Sequence, residues 1–303
     1  MKICRFIFSA ILLINLYGCT TNTQNNQPII VTTTGIIGDC IAELVGDQAN
    51  VISIMGPGVD PHLYRASQGD IEKLSKADII IYNGLHLEGK MAQMLQKLAK
   101  QKPVFAIGDY IEDRYLKRVD KTSDLHDPHI WFDPTVWLKG LEGIAQELDK
   151  QKGLNQVATQ FKTYETKILQ TQKMLQDTLD KHLDNNTRIL ITSHDAFEYF
   201  GDAFNFKVRG LQGVSTSAEY GTKDVKDLTD FIIDHQVRSI FVESSVSNKN
   251  LEAVVASAQA RGYTINIGGT LFSDALGDKN TLPGTYEGML IANVNTILEG
   301  LKE

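Results

Sequence analysis

The chain has 303 residues, 42% of them hydrophobic and 22% charged, which is the composition of an ordinary globular protein long enough for two domains. A net charge of −7 leaves no basic surface, so a nucleic-acid partner is excluded. The same charge either helps to attract cations or simply keeps the chain soluble.

The N-terminus does not read as part of the fold. Lys2 and Arg5 precede an apolar run at 6–16 that is too short to be a good spanning helix. The run ends Leu16-Tyr17-Gly18-Cys19, which resembles a bacterial lipobox; the alternative is a plain signal peptide with a chance cysteine. Residues 1–18 are therefore expected to be a signal peptide, with Cys19 acylated and holding the protein at a membrane surface. Residues 19–28, including TTNTQNNQ at 20–27, read as a polar tether. Cys4 leaves with the signal and Cys19 carries lipid, so Cys40 has no partner and no internal disulfide is expected. Cys40 reads as a small buried hydrophobe rather than a soft ligand.

From there strand and helix patterns alternate. Strands are predicted at 29–33, 51–55, 79–82 and 104–107, with helices at 35–45, 68–77 and 90–100 between them. Residues 154–183 contain neither Gly nor Pro, and Leu154, Val157, Phe161, Tyr164, Ile168, Leu175, Leu179 and Leu183 fall near helical spacing. A helix of about 30 residues would extend roughly 45 Å, ending near Asn185-Asn186. Its heptads are too irregular and too few for a coiled coil. The alternation then resumes, with strands at 188–192, 206–209, 239–243 and 263–267, and helices from about Asp195 and at 224–235, 250–261 and 286–301. The fold class is thus α/β, with two parallel-sheet lobes, 29–152 and 187–303, joined by a single long rigid helix within 153–186.

In open α/β folds ligands bind beyond the carboxyl ends of the strands. Four residues stand there: His62, His129, His194 and Asp274. His62 closes Gly56-Pro57-Gly58-Val59-Asp60-Pro61-His62, and His129 sits in Asp127-Pro128-His129-Ile130-Trp131, so the tripeptide Asp-Pro-His occurs twice. Proline before a ligand limits backbone freedom and lowers the entropy lost on binding; Asp-Pro is also common turn chemistry. His194 lies in Ser193-His194-Asp195-Ala196-Phe197, where Asp195 would cap the following helix. Asp274, in Leu271-Phe272-Ser273-Asp274-Ala275-Leu276-Gly277, reads equally as a ligand or a helix cap. Three imidazoles and one carboxylate between the lobes would form a nitrogen-rich metal site. Glu243, at a strand end on the cleft side, is either a hydrogen-bond acceptor behind a ligand imidazole or a salt bridge or cap. His86 could reach the cleft, His126 is a transient collecting ligand or a solvated loop residue, and His182 and His235 read as surface residues.

These segments, in this order, resemble the manganese/zinc solute-binding lipoproteins of bacterial ABC importers (cluster A-I). Asp60-Pro61-His62, Asp127-Pro128-His129-Ile130-Trp131, Ser193-His194-Asp195-Ala196-Phe197-Glu198-Tyr199-Phe200 and Ser273-Asp274-Ala275-Leu276-Gly277 match the four ligand segments, and Ile240-Phe241-Val242-Glu243-Ser244-Ser245-Val246-Ser247 is similar as well. The resemblance covers nearly all of the chain after Thr20. It implies a monomer that binds one Zn²⁺ or Mn²⁺ as cargo through His62, His129, His194 and Asp274. It also implies delivery to an ABC permease driven by its ATPase. Two departures place the chain between the marked subgroups. Some manganese receptors have Glu where this chain has His194, and zinc receptors often carry a His-rich loop where this chain has only His86 and His126.

Nitrogen-rich chemistry favours zinc over manganese in vitro. The expected cycle is capture, modest lobe rotation and delivery. The competing readings are a zinc hydrolase, a surface adhesin and a receptor for another solute such as an iron chelate. Four protein ligands would leave no open water position for hydrolysis. No His-Glu-x-x-His or Gly-x-Ser-x-Gly motif occurs, so the chain is not expected to be an enzyme.

Overall fold

A computed structural model describes residues 27–120 and 122–302. The expected leader at 1–18, the expected acylation site Cys19 and the expected tether up to residue 26 lie outside the described residues. The elements run β1 (Ile29–Thr34), α1 (Gly35–Val45), β2 (Asn50–Met55), α2 (Gln68–Lys76), β3 (Ile79–Tyr82), α3 (Ala92–Leu98), β4 (Val104–Ala106), α4 (Pro134–Leu148), α5 (Val157–His182), β5 (Ile189–His194), α6 (Glu198–Phe204), β6 (Lys207–Gln212), α7 (Thr222–Asp234), β7 (Ser239–Glu243), α8 (Lys249–Ala260), β8 (Asn266–Leu271) and α9 (Tyr286–Leu301). The first half is a parallel sheet in the order β2-β1-β3-β4. The second half has the parallel pairs β5-β6 and β7-β8, with β5 lying beside β7. The α/β class with parallel sheets is as the alternation of elements predicts.

The long helix is shorter than its pattern suggests. At 26 residues α5 spans about 39 Å. Its buried stripe, Val157, Phe161, Tyr164, Ile168, Thr171, Leu175 and Leu179, steps by three or four residues and so stays on one side of the helix. The start slips from 154 to 157 because Asp149 reaches forward: its carboxylate accepts the N–H groups of Val157 at 2.7 Å and Ala158 at 3.0 Å. The end falls at His182, before Asn185, where Leu183 turns extended. α5 packs on α1 and α4 of the first half and on α9 of the second.

Besides α5, helix α4 and strand β8 differ from the sequence reading. Helix α4 has no counterpart there, although Asp133 caps it through the Thr135 N–H at 2.8 Å and Pro134 opens it. Gly140 and Gly143 weaken its helical signature, yet a Cβ at Gly140 would lie 2.4 Å from Ile107 Cγ2. Strand β8 begins at Asn266 rather than 263. Its Gly268-Gly269 pair reads as a breaker, but a Cβ at Gly268 would lie 2.8 Å from Phe241 Cε1 and 3.1 Å from Gly300 Cα. The glycines are where α9 settles onto the sheet.

One continuous apolar core joins the halves, running from Ile30 through Trp137 and Phe161 to Phe197 and Tyr286. Phe132 stacks on Phe197 with centroids 4.4 Å apart, a pair that adds about 0.5–1.5 kcal/mol beyond its buried area. Cys40 is in this core, with Trp137 Nε1 and Tyr164 Oη on its sulfur at 3.5 and 3.3 Å, and burial pushes its thiol pKa up to about 12. Burial and the raised thiol pKa make it inert packing.

Candidate metal centre

Four of the strands, β2, β4, β5 and β8, each lead to one side chain at a common point. His62 stands in the loop after β2, His129 in the long connection after β4, His194 is the last residue of β5, and Asp274 follows β8. The four side chains form one buried group whose donor atoms all lie within 4.8 Å of one another. Nε2 of His129 is 3.3 Å from Nε2 of His62 and 3.3 Å from Nε2 of His194. The carboxylate of Asp274 presents Oδ1 to His129 at 3.4 Å and Oδ2 to His194 at 3.4 Å, with His62 at 4.0 Å. A tetrahedral shell with bonds of ~2.0–2.2 Å spaces its donors ~3.3–3.6 Å apart, so the arrangement has the dimensions of a cation's coordination sphere.

The site is sealed: His129 and His194 are 0%, Asp274 1% and His62 5% exposed. Neither oxygen of Asp274 accepts a hydrogen bond. A buried carboxylate without donors is costly unless positive charge faces it. The four residues can hold a metal ion.

Behind the rings, carboxylates set their orientation. Asp127 Oδ1 accepts the His129 backbone N–H at 2.9 Å and lies 2.7 Å from its ring Nδ1. Glu243 Oε1 accepts the His194 backbone N–H at 2.9 Å, and Oε2 lies 2.6 Å from Nδ1. A proton on Nδ1 leaves the Nε2 lone pair aimed at the common point. Glu243 thus stands behind the His194 ring, within reach of both its backbone N–H and its Nδ1.

The role of Asp60 and Asp127 is missing from the sequence reading, which treats them as turn formers. Both accept the N–H of the histidine two residues on, Asp60 at 2.8 Å. The repeated Asp-x-His spacing carried that signal. Asp195 does not cap α6, which starts three residues later without a side-chain cap; its carboxylate accepts the Gly210 N–H on β6. Asp274 caps no helix and stands in a loop. His126 lies 2.9 Å from Asp113 in a side loop. His86 is exposed, and it lines a separate cavity with His126. Neither joins the four. His182 and His235 are exposed, as expected.

Burial opposes charge on every ring and wins at His62, whose pKa falls to about 3. At His129 and His194 burial is outweighed by Asp127, Glu243 and Asp274, and both pKa values rise, His194 the more. Burial would also raise Asp274, but the facing imidazoles hold its carboxyl well below the usual range. The site thus keeps an anion facing three imidazoles.

The family described as zinc-uptake complex component A, periplasmic, matches residues 30–300. The manganese-binding lipoprotein MntA of Bacillus subtilis (strain 168) is 43% identical over 295 residues, 95% of each chain. The zinc-binding protein TroA of Treponema pallidum (strain Nichols) is 39% identical over 294 residues, 94% of this chain and 92% of that one. The solved structure of the periplasmic zinc-binding protein TroA superposes with a TM-score of 0.86 at 40% identity, covering 91% of this chain and 99% of that one.

Proposed function

The chain belongs to the family of periplasmic zinc-uptake component A proteins, and on that premise we propose that it captures one Zn²⁺ or Mn²⁺ outside the cytoplasm and hands it to the permease of an ABC importer powered by an ATPase. We assign His62, His129, His194 and Asp274 as the ligands, with Glu243 and Asp127 fixing two of the imidazoles. The observation that carries this reading is the Asp274 carboxylate, buried, unpartnered and faced by three imidazoles. Since both its oxygens face the site, it can bind one- or two-handed, the latter suiting the larger shell that manganese takes.

Four side-chain ligands fill a tetrahedral shell, which favours transport over hydrolysis, where a water position stays open. We divide the mature chain into a tether to residue 28, a lobe at 29–152, the connection at 153–186 and a lobe at 187–303, acting as a monomer. No helix among the described residues is long and apolar enough to cross a membrane. We propose that acylated Cys19, outside the described residues, supplies the anchor; the Bacillus subtilis relative is a lipoprotein.

The test is competitive loading. Protein stripped by chelator and offered both cations at equal concentration should retain one zinc per chain and little manganese, because imidazole donors bind zinc more tightly. Retention of several ions, or of none, would contradict the assignment.

A further inference from the structure

Of the hydrogen bonds that join the first-half ligand loops to the second half, two differ in depth. Trp131, two residues after His129, donates from Nε1 to the carbonyl of Ser273, beside Asp274, at 3.0 Å. Both are sealed in the core, Trp131 at 2% and Ser273 at 0% exposure. The other bond is nearer the surface. Thr216, in the irregular segment between β6 and α7, donates from Oγ1 to Oδ2 of Asp60 at 2.6 Å in a part-buried position. The other oxygen of Asp60 accepts the His62 N–H at 2.8 Å. One carboxylate therefore holds a ligand loop of the first half and a loop of the second. Gly58, two residues earlier, has φ 68°, and a Cβ there would sit 3.4 Å from the Ser244 carbonyl, so the same loop abuts the backbone just past β7.

His62 depends on its loop more than the other imidazoles depend on theirs. His129 and His194 each have a carboxylate at Nδ1. Among the described residues His62 meets a carboxylate only through Nε2, at Asp274. It is also the most exposed of the four. Its position is fixed through the backbone by Asp60, and Asp60 is fixed by Thr216.

We propose that Thr216 is a positioning residue for His62: its hydroxyl latches the Asp-Pro-His loop shut across the cleft, and parting of that bond is the step that lets the cation leave. The inner Trp131–Ser273 bond stays closed during that step, because breaking it would unpack the core, whereas the outer bond can part with loop motion alone. This inference rests on the receptor reading above.

The experiment is stopped-flow release of Zn²⁺ from the loaded protein into excess chelator, comparing wild type, Thr216→Val and Thr216→Ser. Valine keeps the shape and removes the donor; serine keeps the donor. Release from the valine variant should be roughly ten- to a hundredfold faster, the range for losing a hydrogen bond to a charged group, with serine near wild type. In cation-free protein, amide hydrogen exchange at residues 58–63 should quicken in the valine variant alone, a readout that needs no metal. Should valine fail to fold, Thr216→Ala takes its place. Equal release rates in wild type and the valine variant, or acceleration by serine as large as by valine, would overturn the latch. A wild type that retains no zinc would remove the receptor reading and the latch with it.

Discussion

Replacing His129 by alanine should weaken zinc binding by about 100- to 1,000-fold, the share of one donor in a four-donor site worth ~10–16 kcal/mol in total. His129 is the hub of the donor set, with Nε2 at 3.3 Å from both other imidazole donors and 3.4 Å from Asp274. The substitution also strands Asp127, a buried carboxylate that loses its ring partner, at a stability cost of about 1–3 kcal/mol. Circular dichroism should therefore show the same fold with a lowered melting temperature, and calorimetric titration the loss of affinity. Glu243→Gln should cost less, about 10- to 100-fold, as is usual for groups behind a ligand. Its carbonyl can still accept the His194 N–H, but the charge facing Nδ1 is gone. If His129→Ala bound zinc no more weakly than Glu243→Gln, His129 would not be a ligand.

Acidification should release the cation, and the imidazoles rather than the carboxylate should be responsible. The pKa values of His129 and His194 are raised, so without a cation both rings hold protons into the neutral range, and an entering cation displaces them. Each displaced proton makes the apparent dissociation constant rise about tenfold per pH unit below the ring's pKa. Asp274 stays ionised throughout, because its carboxyl is held well below the usual range, and His62, at about 3, stays neutral. Between pH 7.5 and 5 affinity should thus fall steeply. The stability of the cation-free fold carries opposed contributions: His62, whose folded value falls to about 3, destabilises it as pH drops below the unfolded histidine value of about 6.5, while the other two rings act the other way. Raised folded-state values mean that protonated His129 and His194 stabilise it fully below the unfolded histidine value of about 6.5, and that this contribution fades as pH rises through the folded values. Zinc titration and thermal melts across that range measure both. Affinity unchanged by acid would contradict a site built on three imidazoles.

The sequence shows most of this site for one physical reason: strands that end in a cleft must be followed by loops, and chemistry in those loops stands out against apolar runs. His62, His129 and Asp274 are legible that way, and His194 also, although it ends β5 rather than following it. What stays hidden is which acceptor stands behind which ring. Glu243 sits 49 residues from the histidine it serves, a pairing that only the adjacency of β5 and β7 creates. Asp127 and Asp60 are masked by the ordinary use of Asp-Pro in turns. Among the elements, α4 and β8 are obscured by glycines placed for close packing, since Gly140 and Gly268 lower the local propensity that a sequence pattern reads while making room for Ile107 and Phe241. The link between Asp60 and Thr216 spans 156 residues and has no sequence signature at all.

The claim on which the rest depends is that His62, His129, His194 and Asp274 share one cation. Diffraction from zinc-loaded crystals at the zinc absorption edge tests it directly. The expected result is one strong anomalous peak per chain, ~2.0–2.2 Å from the three Nε2 atoms and from a carboxylate oxygen of Asp274. A peak held by other side chains, or one that left any of these four well outside bonding distance while the cleft was shut, would contradict the account.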